Sequence, residues 1–177
     1  MGYALATTVS LVLFASPSLA VKDRAEIYSM FQSNDALTRV AAFDLFDSSI
    51  PLEERSAALV EFWDLSSRRG QPLVRLSVLS YLRDPKWRPL PWSEELRSRL
   101  HGATGDPDVA VRDSTLSLWK AQPKAQSRGE VVPYLQDSAD KVRERAVDVI
   151  GLWSDDEGRE ILRRYILDNA TNANTKS

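Results

Sequence analysis

The chain has 177 residues, 43% of them hydrophobic and 27% charged, which fits a folded domain with a sizeable core and excludes a disordered polymer. Its formal net charge of -2 lacks the basic excess of a nucleic-acid binder. No cysteine and a single histidine, His101, exclude disulfides, thiol catalysis and cysteine zinc sites, and leave no histidine cluster for a metal.

Residues 1–20, MGYALATTVSLVLFASPSLA, carry no charged side chain. Apolar residues dominate from Tyr3 to Ala15, Pro17 breaks the run, and Ser18-Leu19-Ala20 puts small residues where a signal peptidase cuts. The segment reads as a secretory signal cleaved after Ala20. The mature chain is then expected in a periplasm or outside the cell, without a membrane attachment. An uncleaved anchor is the alternative, although the run is short for a full span.

From there apolar residues recur at helical spacing, with no sustained period-two run. AEIYSMF, Ala25–Phe31, gives a short helix expected to close the N-terminal end. Asn34-Asp35 can cap the next helix, LTRVAAFDLF, in which Ala42, Phe43 and Phe46 follow Arg39 on one face. Its partner helix is expected over Pro51–Ser66. LVRLSVLSYL repeats the stripe, with Val78, Leu79 and Leu82 after Arg75. The helix Ser93–His101 follows, with Glu94 and Glu95 in its first turn and His101 at its C-terminal end. Asp106-Pro107 reads as an N-cap before a first-turn proline, opening VAVRDSTLSLW, where Thr115, Leu116 and Trp119 follow Arg112. Ser127 and Glu130 fit a capping box for a helix over Gly129–Gln136. Ser138 can cap DKVRERAVDVIGLW, where Ala146, Val147 and Ile150 follow Arg143. Ser154 and Glu157 fit a second capping box, for Asp155–Asp168. Residues 169–177, NATNANTKS, are polar and read as a disordered tail.

The four arginines are 36, 37 and 31 residues apart, each opening the same stripe. Such a period marks stacked supersecondary units, because one helix pair cannot bury its apolar face alone. Two stretches, LQDSADKVRERAVDVIGLW and GDPDVAVRDSTLSLW, resemble HEAT repeats, the short bacterial kind related to bilin-lyase repeats. In that family an Asp-rich turn precedes a first helix carrying Val-Arg. Here Asp137 and Asp140 precede Val142-Arg143, and Asp106 and Asp108 precede Val111-Arg112. Gly70-Gln71-Pro72 stands in this place before Arg75, which leaves the ion-pair partner of Arg75 open. The expected fold is all-α: a right-handed, HEAT-like α-solenoid of about four antiparallel helix pairs over residues 21–168. Arg39, Arg75, Arg112 and Arg143 are expected to form a ladder between units, pairing with turn aspartates (Asp106, Asp108, Asp137, Asp140) and helix-end carbonyls. A ligand-binding row is the other reading of them.

The least repeat-like stretch is DPKWRPLPW, Asp84–Trp92, held extended by three prolines. Trp87, Arg88 and Trp92 there have two readings: a partner contact of the kind that dominates binding hot spots, or a cover for the core, with Trp92 as a hydrophobic staple. Trp63, Trp119 and Trp153 lie on helix stripes and are expected in the core. Asp106, Asp108 and Asp113 lack the spacing of a calcium loop. No catalytic set, phosphate loop, metal site or cofactor site is found. The resemblance implies that second helices line the concave face, which makes Glu54, Glu61, Arg97, Arg159 and Arg163 candidates for partner contact. The function expected is an exported, non-enzymatic scaffold that binds a protein or peptide, with no nucleic acid involved. The alternatives are a bilin-lyase-like chaperone or enzyme, and a structural subunit of an envelope complex.

Overall fold

A computed structural model describes residues 17–84, 92–122 and 124–174, with side chains for 24–84, 92–122 and 127–168. These residues form no strand. They form nine α-helices: α1 Pro17–Phe31, α2 Ala36–Ser49, α3 Leu52–Arg69, α4 Pro72–Arg83, α5 Glu94–Gly102, α6 Val109–Lys120, α7 Lys124–Val131, α8 Asp140–Gly151 and α9 Asp156–Asn174. Two 3-10 turns, Ala103–Gly105 and Val132–Gln136, lead into α6 and α8.

Local chemistry sets most boundaries. The Asp35 carboxylate caps α2, accepting from the Thr38 amide at 2.8 Å and the Thr38 hydroxyl at 2.6 Å. These bonds, the hydroxyl first, hold Asp35 below the usual carboxylate range. Helix α2 ends at Ile50, whose extended backbone is what the following Pro51 demands. Helix α3 has Glu53 and Glu54 in its first turn and Arg68 and Arg69 in its last, matching the helix dipole. It stops at Gly70, whose φ of 64° is left-handed and favours glycine. Pro72 then opens α4 at a position needing no N–H. Ser93 caps α5 by accepting from the Leu96 amide.

Five expected starts differ. Helix α1 begins at Pro17, inside the segment read as a signal, rather than at Ala25. Helix α6 is capped by Asp108, not Asp106; Asp108 Oδ1 accepts from Ala110 and Val111, while Asp106 accepts from the Asp108 amide and so shapes the turn before the cap. Helix α7 begins at Lys124, so Ser127 is buried inside it rather than capping it. The chain tightens to 3-10 geometry at Pro133, which removes an N–H from the α-helical pattern. Helix α8 has no side-chain cap; Asp137, not Ser138, accepts from the Ala139 amide at 2.8 Å. Asp155 rather than Ser154 satisfies the start of α9, accepting from the Gly158 amide at 2.8 Å. Helix α9 also runs on through 169–174, into the segment expected to be disordered, because neither Gly nor Pro stops it there.

The helices alternate between two layers. Helices α4, α6 and α8 pack side by side, with α2 joined to α4 through Phe43 and Tyr81. Helices α3 and α5 pack in the other layer, and α1 joins α3 through Tyr28 and Phe62. Helix α1 is thus more than a terminal plug, since it also packs on α2 and α4. One continuous core runs from Ile27 to Trp153, with Trp63, Trp119 and Trp153 buried in it. At its N-terminal end Phe31, Phe43, Phe46, Phe62 and Tyr81 stack mostly edge to face, with centroids 5.0–6.3 Å apart.

Candidate functional site

Of the four repeating arginines, Arg75 and Arg112 bridge neighbouring units as expected of a ladder, whereas the bonds of Arg39 and Arg143 lie within their own units. Arg75 of α4 forms a two-pronged pair with Asp106, Nε to Oδ2 at 2.7 Å and Nη2 to Oδ1 at 3.0 Å. Arg112 of α6 does the same with Asp137, at 2.7 and 2.9 Å. Arg112 Nη1 also donates to the Asp106 carbonyl, and Arg143 Nη1 to the Asp137 carbonyl. Each turn aspartate therefore takes the previous unit's arginine on its side chain and its own unit's arginine on its backbone. Burial opposes the charge on Asp137, but the Arg112 bonds, the Ala139 amide and the charges of Arg112 and Arg143 together hold it below the usual carboxylate range. The Asp137 bond in turn pushes Arg112 above its ordinary value. Asp108 is a cap rather than a rung, and Asp140 pairs with Arg143 inside α8.

The unit lacking an aspartate breaks the pattern on both sides. Six residues before Arg75, where Asp106 and Asp137 stand in later units, the chain has Arg69. Arg75 still finds its carboxylate, because that partner comes from the next unit. What it lacks is the carbonyl, and its buried Nη1 has no hydrogen-bond partner. Arg39 keeps the carbonyl bond, to Ser33 at 2.6 Å, and the sequence position that would supply its aspartate is Arg69.

A second row of ion pairs crosses the other layer. Arg24 of α1 reaches Glu54 and Glu61 of α3 at 2.7 and 3.1 Å. Asp64 of α3 pairs with Arg99 of α5 at 2.6 and 2.9 Å, and the Arg99 bond holds Asp64 below the usual range. His101 of α5 meets Glu130 of α7, and Arg128 of α7 meets Asp155 and Glu157 at the start of α9. The sequence reading missed this row. Its signal is opposite charges one repeat period apart, on stretches where mixed charge passes for solvated surface.

The candidates for partner contact fall largely within this layer. Glu54 and Glu61 are engaged by Arg24 yet about half exposed. Arg159 pairs with Asp156, and Arg163 with Glu160 at 3.6 Å, both within α9. Arg97 lies over the Trp92 ring at 5.6 Å. Trp92 is half-buried, edge-on to Trp119 at 5.9 Å, so it packs against the core; the residue facing it across the start of α5 is the charged Arg97, a cation–π contact rather than an apolar staple. Trp87 and Arg88 lie outside the described residues. Asp106, Asp108 and Asp113 are each taken up, Asp113 by Lys141 and Arg145, and no metal-binding cluster occurs among the described residues.

A groove of about 520 Å³ lies between α1 and α3. Tyr28, Phe62 and Leu65 supply its apolar wall; Arg24, Glu61 and Arg69 supply its polar edge. Arg69 lies over the Tyr28 ring at 5.8 Å. Burial pushes the Tyr28 hydroxyl up against the opposing charges of Arg69 and Arg75, so it stays protonated and donates to Gln71 at 2.6 Å. The groove offers an apolar shelf beside a guanidinium, which suits an apolar side chain next to a carboxylate. No described helix is long and apolar enough to cross a membrane. Compared with protein-family models, curated proteins and solved structures, the chain matches none.

Proposed function

We propose that the chain is a HEAT-like α-solenoid that binds a protein or peptide partner along the layer formed by α1, α3, α5, α7 and α9, and that it works after export. The observation that supports binding is the α1–α3 groove, where apolar wall and arginine stand side by side on packed helices. Such a groove needs little ordering on binding, because its side chains are already fixed by the core beneath and by the Arg24 ion pairs. Its ligand is a segment that places a large apolar residue on Leu65 and an acidic residue on Arg69. Export rests on residues 1–20. Cleavage after Ala20 would remove only the first turn of α1 and none of the described side-chain contacts, which begin at Arg24.

Panning a displayed random-peptide library on the whole chain tests the binding site. Enriched peptides should combine acidic and bulky apolar residues and lose at least tenfold in affinity against Arg69→Glu. Failure to enrich any peptide, or equal binding to Arg69→Glu, refutes the reading.

A further inference from the structure

The two interior joints share an arginine–aspartate pair, and the α6–α8 joint adds a second set of charges whose receiving half recurs on α8. At the joint between α6 and α8, three neighbours on α6 do the seating: Arg112, Asp113 and Leu116. Arg112 takes the Asp137 carboxylate, Asp113 takes Lys141 and Arg145 at 3.1 Å each, and Leu116 is fully buried. The incoming unit thus contributes an aspartate on its leading turn and cations four and eight residues later. Helix α8 repeats the receiving set one period on, as Arg143, Glu144 and Val147. Among the described residues no helix stacks on this set as α8 stacks on α6; Tyr165 of α9 stands at its edge. The Arg143 side chain is 31% exposed, against 9% for Arg112 and 2% for Arg75. Val147 is half-buried where Leu116 is at 0%. Together with Asp140, Asp148 and Tyr165 these residues line an open groove of about 350 Å³.

We infer that this C-terminal face is a socket for a helical hairpin of a partner protein, with an aspartate on the turn before its first helix and Lys or Arg four and eight residues beyond. The aspartate would draw Arg143 off Asp140 into the two-pronged pair that Arg75 and Arg112 already make. The cations would take Glu144, and an apolar residue would close over Val147. The chemistry argues against a second copy stacking head to tail, because the chain's own first unit presents Ser33, Leu37 and Ala41 at these three places. This surface lies at the far end from the α1–α3 groove and does not depend on it.

The probe is a second copy of residues 137–174, joined to the end of the full chain by a short Gly-Ser linker. It carries the required Asp137, Lys141 and Arg145. A two-helix unit on its own is marginal in water, so protection of its amides reports stacking. Hydrogen exchange in the appended copy of Lys141–Gly151 should slow at least tenfold relative to the same fusion carrying Arg143→Ala in the host. Glu144→Lys in the host should also abolish protection, and Lys141→Glu with Arg145→Glu in the appended copy should restore it. An unprotected copy on an intact host face overturns the proposal, as does protection indifferent to these changes. Light scattering on the unmodified chain provides the other arm. Self-association abolished by Glu144→Lys would assign the face to a second copy and overturn a distinct partner; a monomer up to about 100 µM supports it.

Discussion

Replacing Arg75 with alanine should unfold this protein at a markedly lower temperature. Its side chain is 2% exposed and that of Asp106 6%, and two short bonds join them. Truncation leaves the Asp106 carboxylate buried with the Asp108 amide as its remaining partner. Breaking a buried pair from one side costs about 3–5 kcal/mol, most of it the stranded charge. For a chain of this length each kcal/mol moves Tm by about 2–4 °C, so the expected drop is about 6–20 °C. Arg163→Ala is the reference: that side chain is 71% exposed and 3.6 Å from Glu160, and its loss should stay within about 0.5 kcal/mol. Urea and thermal melts followed by circular dichroism measure both. A double-mutant cycle with Asp106→Ala should return a coupling above about 1.5 kcal/mol. Replacing both partners together, Arg75→Met with Asp106→Leu, should cost less than Arg75→Ala alone, about 1–2 kcal/mol, since an apolar pair strands no charge and only the bond to the Asp108 amide is lost. Equal melting points for Arg75→Ala and Arg163→Ala, or a cycle without coupling, would refute the reasoning.

Arg99→Ala, in the exposed row, should cost under about 1 kcal/mol although its two bonds to Asp64 are as short, because water screens the pair; denaturant melts in low and high salt check this. Phe46→Ala should cost about 3–5 kcal/mol, since Phe46 is fully buried among Phe31, Phe62 and Tyr81. Gly70→Ala should cost about 1 kcal/mol from its positive φ alone, because nothing lies within 4 Å of the added methyl; a thermal melt against wild type measures it. Asp35, Asp64 and Asp137 all titrate below their unfolded values, so their contribution is present above about pH 4 and is lost as pH falls through the folded values. Tm should therefore be flat from about pH 7 to 5 and fall below about pH 4, with a shallower acid fall in Asp137→Asn.

Helix positions were readable because burial leaves a stripe, and the residues three, four and seven beyond each arginine are the ones most often found in the core. Caps were less readable. Asp106, Asp108, Asp137, Asp140 and Ser138 are all competent N-caps by type, and local sequence does not say which of them an arginine from another unit will claim. Asp106 and Asp137 were taken by Arg75 and Arg112, so the amide-capping work passed to Asp108 in one turn and to no side chain in the other. The same limit hid the second row of ion pairs, and it left the α1–α3 groove unread, since Tyr28 and Phe62 look like ordinary core residues until two helices are set side by side.

The order of residues by itself determined the all-helical character of the described residues, the arginine period and the boundary at Pro51, because these follow from backbone sterics and from periodicity along one segment; α3 runs on past the expected Ser66 to Arg69, where Gly70 ends it. Tertiary structure alone decided which carboxylate each arginine meets, that α1 stands beside α3, and that the Arg143 side chain stays more exposed than those of Arg75 and Arg112. Those outcomes depend on distances between segments about 30 residues apart, and charge attraction has no direction in sequence until packing gives it one.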